Sequence, residues 1–131
     1  MSFSREDQLK YKALYLQTAG QYVHDLQDKL NLLVSGKETQ EVIDTLHRDA
    51  HSLKGQSEMM GYHAIGAFSS LMEKIFLAKK ENKLVLSDLI VTQLVDGVKE
   101  MEACLDEIEK VNKEIDMYQP IGKLQTLTKI K

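Results

Sequence analysis

The sequence predicts an all-α fold, an antiparallel up-down-up-down four-helix bundle followed by a short C-terminal tail or extra helix. Three observations predict it. Apolar residues recur at steps of three and four through four long stretches, the period of a helix that buries one stripe. Residues that start and stop helices stand at the ends of those stretches. The 131 residues include one proline and seven glycines, so little in the chain interrupts a helix.

Ser4 reads as the N-cap of the first helix, with Asp7 three residues on as a weaker capping-box partner. Leu9, Leu16, Ala19, Val23, Leu26, Leu30 and Leu33 then keep the spacing of one stripe, up to a break at Ser35-Gly36. Gly20 inside this run reads as a close approach to a neighbouring helix. The second helix starts around Glu38–Gln40 and runs to Met60, with Gly61 as the glycine that ends it. Its stripe is Val42, Leu46, Ala50, Leu53, Ser57 and Met60. The third runs from about His63 to Lys80 on Ile65, Phe68, Met72 and Ile75. The charged run from Lys79 to Lys83 that follows reads as a solvated helix end and loop. Ser87 and Asp88 open the fourth, whose stripe continues from Ile90 through Ile108 to Ile115. Pro120 and Gly122 are expected to close the packed region. That leaves one domain over 1–131, a bundle over about 5–118, and a basic, partly apolar tail from 119 that is either a docked helix or a linker. Short loops make consecutive helices antiparallel neighbours.

Composition removes several function classes. Hydrophobic residues make up 43% of the chain and charged residues 28%, with a net charge of −3, an ordinary globular balance. Mild acidity and the lack of a clustered basic face argue against nucleic acid as a partner. No apolar run reaches the ~18 residues of a membrane span, and nothing at the start reads as a signal peptide. Cys104 is the one cysteine, which fits a reducing cytoplasm. No Walker loop, nucleotide-binding glycine loop or nucleophile elbow is present. An autonomous kinase activity is therefore not expected.

The informative stretch is His51-Ser52-Leu53-Lys54-Gly55. At about 100° per residue, His51 points nearly opposite the middle of the second helix's buried stripe, and His47, Lys54, Gly55 and Glu58 lie within roughly 60° of it. An imidazole presented outward on a rigid helix can serve as a nucleophile, base, metal ligand or pH switch. A nucleophilic one needs its second nitrogen held as a donor, and a cation to steady incoming negative charge. Lys54 meets the second need, and Glu73 on the third helix is the candidate for the first. Ser52 and Ser57 could add hydroxyl donors. Glycine inside a helix costs roughly 1 kcal/mol relative to alanine, so Gly55 beside the exposed imidazole suggests that another surface must come close. His47 and His51 have the i,i+4 spacing of a zinc pair. No cysteine is near, however, and Lys54 puts positive charge where the cation would sit, so no metal site is expected. His24 and His63 read as histidines without a role.

His51, Lys54, Gly55, Ser57, Met60-Gly61-Tyr62 and Glu73 together resemble the histidine-containing phosphotransfer (HPt) domain, most of all the N-terminal phosphotransfer domain of chemotaxis-type histidine kinases. The match is strongest from about Arg48 to Ile75. The resemblance implies that His51 accepts a phosphoryl group on Nε2, that Lys54 lies near that group, that Gly55 leaves room for a docking partner, and that Glu73 holds the other ring nitrogen. His47 and Glu58 would border the docking surface. The implied partners are a histidine-kinase catalytic domain and a response-regulator receiver domain. The chain itself, a monomer, would bind no cofactor, and the Mg²⁺ would sit in the partner. One departure stands out: chemotaxis-type members usually carry a second histidine three residues before the glutamate, and here that position is Ser70. The alternative, of another class, is a helical interaction module that carries no phosphate; such a bundle would have no need of the His51, Lys54, Gly55 and Glu73 set.

Overall fold

The computed structural model describes residues 3–131. Its five helices are α1 (Arg5–Val34), α2 (Gln40–Met60), α3 (His63–Lys80), α4 (Asp88–Val111) and α5 (Tyr118–Thr128), with no strand among the described residues. The first four form the expected bundle. Residue pairs such as Gln8 with Met60, His51 with Glu73 and Lys12 with Glu109 show that α1 runs antiparallel to both α2 and α4, and α2 antiparallel to α3.

The helix starts follow local chemistry. Ser4 Oγ accepts the Asp7 N–H at 3.2 Å, Thr39 Oγ1 that of Val42 at 3.2 Å, and Ser87 Oγ that of Ile90 at 3.3 Å, each satisfying a donor the helix cannot pair internally. The Asp7 carboxylate accepts from the Ser4 hydroxyl and not from its backbone, so the capping box is incomplete. Gly61 ends α2 in the left-handed region at φ 82°, which a side chain would strain. The short Gly61-Tyr62 turn keeps α2 and α3 side by side over their whole length.

Leu26, Leu30, Leu46, Leu53, Ile65, Phe68, Met72, Ile75, Phe76, Leu94, Met101 and Ile108 make a fully buried core. At its centre α4 approaches α3 so closely that a Cβ on Gly97 would collide with the Phe68 ring.

The structure corrects four expectations. Leu9 is half exposed, and Tyr15 takes the inward position at that end of α1, where its hydroxyl finds a buried partner in Ser57 Oγ at 2.7 Å. Gly20 makes no close approach, since a Cβ there would meet nothing within 4 Å. α4 stops at Val111 because Asn112 turns left-handed at φ 59°, which leaves Ile115 exposed on the connection beyond. Pro120 does not close the packed region. It sits in the first turn of α5, where a helix does not need its missing N–H. Past it, Leu124 is buried as α5 docks on α4 and α3, so the region from 119 is a docked helix.

Candidate functional site

α2 and α3 run antiparallel, so a residue in the middle of one meets a residue in the middle of the other. His51, at the start of the fourth turn of α2, meets Glu73 of α3 in this way. His51 Nδ1 is hydrogen-bonded to Glu73 Oε2, and the second carboxylate oxygen, Oε1, accepts from Lys54 Nζ at 2.7 Å. A carboxylate only accepts, so Nδ1 carries the proton and the lone pair of the neutral ring resides on Nε2. The His51 side chain is 66% exposed, whereas Glu73 is 15% and Lys54 26% exposed. The orienting groups are thus packed in the seam, and the ring they orient projects from it.

Burial of Glu73 pushes its carboxyl upward, but the hydrogen bonds from Lys54 and His51 outweigh this and hold it below the ordinary value. Glu73 therefore stays ionised and remains a steady acceptor for the Nδ1–H. Lys54 works on His51 through this carboxylate; its ammonium is committed to Oε1. Ser70, at the departure from the chemotaxis pattern, lies one turn before Glu73, whose two oxygens are already matched by Lys54 and His51.

Gly55 is exposed, and a Cβ there would meet nothing within 4 Å. The bundle does not require the glycine; only something outside it would. His47, one turn before His51, is half-buried, and burial together with the nearby Lys80 ammonium lowers its affinity for a proton. Glu58 is exposed, with its Cγ lying against Gly66 of α3. His24 pairs loosely with Asp28 at 3.5 Å in solvent. Ser57 is buried against Tyr15 and offers nothing to the imidazole, which corrects the expectation that it could donate there. No cluster of three or more metal-ligating side chains occurs among the described residues.

Three features escaped the sequence reading. An apolar cleft of about 340 Å³ opens between α1 and α2, lined by Tyr11, Leu14, Gln56 and Met59 among others. Met59 continues the line His51–Gly55–Met59 along α2, four residues per step, so the cleft borders the face that carries the imidazole. The second is Glu114, on the α4–α5 connection. Its Oε2 accepts the Ile65 N–H at 2.9 Å and so caps α3, which has no side-chain cap of its own. The third is a carboxyl pair, Asp25 and Asp49, between α1 and α2. Leu14 and Met59 read singly as ordinary exposed apolar residues, and the partners of Glu114 and Asp49 lie on other helices, beyond any local pattern.

A helical bundle that presents an exposed imidazole, backed by a half-buried carboxylate and a lysine, defines the class of a histidine phosphocarrier. The Hpt domain family model matches residues 10–115, and the chain belongs to that family, whose members serve as phosphocarriers in two-component phosphotransfer. Among known proteins it is similar to the chemotaxis protein CheA of Halobacterium salinarum, at 26% identity over 99 residues, which are 76% of this chain and 15% of that protein. It is also similar to CheA of Listeria monocytogenes and of Listeria innocua, each 22% identical over 96 residues, 73% of this chain and 16% of those proteins. The chain thus matches only about a sixth of the length of these relatives. No solved structure matches it significantly. Among the described residues, no helix is long and apolar enough to cross a membrane.

Proposed function

We propose that His51 is the phosphoacceptor, taking the phosphoryl group on Nε2 and passing it to the aspartate of a receiver domain. The observation that carries this is the three-residue arrangement of His51, Glu73 and Lys54, which fixes the proton on Nδ1 and leaves the nucleophilic lone pair on the nitrogen that Glu73 does not hold. When Nε2 bonds to phosphorus the ring gains positive charge, and the Glu73 carboxylate at Nδ1 stabilises it. The donor is ATP on a separate histidine-kinase catalytic domain, or the phospho-aspartate of a receiver. Mg²⁺ belongs to those partners.

Gly55 leaves room for the partner's active site, and the neighbouring α1–α2 cleft offers it apolar surface to bury. His47 and Glu58 border the approach. The chain acts as a monomer in the cytoplasm, where ATP feeds the kinase.

The test is incubation with candidate kinase catalytic domains and ATP, or with phosphorylated receivers. Acid-labile, base-stable phosphate on His51 is the expected product. Phosphate on another residue, or none with any partner, would sink the assignment.

A further inference from the structure

The α1–α2 seam is lined by apolar residues, Ala19, Val23 and Leu26 on one side and Leu46, Ala50 and Leu53 on the other. Asp49 is set among them, half a turn before the phosphoacceptor. It is only 9% exposed, and its Oδ2 is sealed from solvent without a hydrogen-bond partner among the described residues. What it faces across the seam is a second carboxyl, Asp25. An ionised carboxylate in this position would be an unpaired buried charge next to a like charge, which a protein avoids by keeping a proton. We propose that Asp25 and Asp49 form a proton-holding latch: one proton shared between the two carboxyls closes the α1–α2 seam at the level of His51, and its loss to solvent loosens the seam.

The surroundings support an unequal pair. Lys29 Nζ reaches Asp25 Oδ1 at 3.0 Å, so the anionic member is Asp25 at the rim and the protonated member is Asp49 inside. The other charged groups acting on the pair belong to the same two helices: His24 on α1 and Arg48 on α2, while Asp28 on α1 acts on Lys29. None of these approaches Asp49 as a hydrogen-bonding cation. With one shared proton the two carboxyls carry a single negative charge, which Lys29 balances. Once that proton leaves, they carry two, with the second inside the seam. Burial, and next the Asp25 carboxylate, push Asp49 up to about 7. Because the folded value lies above the ordinary 3.8, the stability linked to Asp49 is fully present below that value. It is lost as pH rises toward about 7 and stays lost above it. The device therefore lies in the window where cytoplasmic pH changes would reach it, and it does not depend on His51 being phosphorylated.

Carbon-13 carboxyl spectra of the whole chain test the latch directly. Asp49 should titrate with a midpoint near 7, and Asp25 well below it. Completion of both titrations below pH 5 would overturn the proposal. Urea unfolding at pH 5 and pH 7 adds the stability arm, because Asp49→Asn keeps the shape and removes the charge. The parent should lose midpoint between the two pH values relative to the variant, whose remaining ionisable groups are the same. Equal pH dependence in the two proteins would sink the idea. Should Asp49→Asn fail to fold, Asp25→Asn must lower the Asp49 midpoint, and an unchanged midpoint overturns the pairing. Amide exchange over residues 46–53, corrected for the intrinsic rate, should quicken as the parent passes that midpoint. Protection unchanged across the midpoint would refute the loosening.

Discussion

The two faces of α2 solve opposite problems with the same functional group. Toward α3, α2 meets a carboxylate supplied with partners: Glu73 receives Lys54 and His51, and farther along the seam Lys80 pairs with Asp44 at 3.2 Å and Lys79 with Glu38 at 3.0 Å. Toward α1, α2 contributes a carboxyl of its own, Asp49, to which no cation is hydrogen-bonded among the described residues. Partnering holds Glu73 below its ordinary value, and isolation drives Asp49 far above. The lesson is that burial alone does not set the charge of a carboxyl in a bundle. What decides is whether the facing helix delivers a donor, and here that difference separates a carboxyl held below its ordinary value from one driven above it.

Removing the group that the α3 seam serves should produce the largest effect. His51→Gln is expected to abolish phosphate acceptance while changing stability by no more than about 0.5 kcal/mol, since an exposed side chain away from the core rarely costs more. Autoradiography with a kinase partner and urea unfolding read the two halves. Retained labelling would move the acceptor elsewhere, with His47 next in line.

Glu73→Gln should come second. It keeps the shape but weakens the hold on Nδ1 and leaves Lys54 without an anion; partners that orient metal-bound imidazoles are worth about 10–100-fold, and a loss of that order is expected here. The same variant sharpens the contrast in pH. Glu73 is depressed in the fold, so the stability it contributes is present above the ordinary 4.5 and lost as pH falls through its lower folded value. The stability gap between parent and Glu73→Gln should therefore close on acidification, the reverse of the trend expected for Asp49. A gap that widens would show that the seam does not hold Glu73 ionised.

Lys54→Ala is expected to slow transfer by less than the about 10²–10³ that a donor in a dry, preorganised site is worth. Lys54 is partly open to water, and it acts through Glu73. Transfer at the parent rate, measured by rapid quench, would reduce Lys54 to a solubilising residue.

The smallest effect is energetic. Gly55→Ala should stabilise the bundle by about 0.4–1 kcal/mol, because a Cβ there meets nothing and the unfolded chain loses freedom. Gly55→Gln should fold equally well, yet exchange phosphate with a receiver much more slowly while still accepting it from a small phosphodonor. Parent-rate exchange in that variant would make the glycine incidental.

Much of this was legible in the sequence for physical reasons. The apolar period and the caps Ser4, Ser87 and Gly61 are local signals, and they placed four helices to within a few residues. The outward direction of His51 and the meeting of α2 with α3 follow from the helical angle and a short turn, which brings Glu73 within reach. The illegible parts are contacts between residues with no periodic relation. Tyr15 wins the inward position from Leu9 because Ser57 satisfies its hydroxyl on another helix. The end of α4 depends on Asn112 adopting a left-handed conformation that the stripe through Ile115 did not signal. Asp49 stood beside the buried stripe as one more charged residue, and only the packing of α1 shows that it is enclosed.

The cap that Glu114 places on α3 has a consequence in time. α3 begins at His63, but the side chain that satisfies its first turn lies 49 residues later than Ile65, beyond the whole of α4. Chains are made from the N-terminus, at about 5–20 residues per second. The α2–α3 hairpin can thus leave the ribosome seconds before its own leading edge is pinned. During that interval the helix that bears Glu73 lacks the acceptor for its Ile65 N–H. The imidazole is presented early in synthesis, while the first turn of the helix facing it waits for its cap until the fourth helix has come and gone.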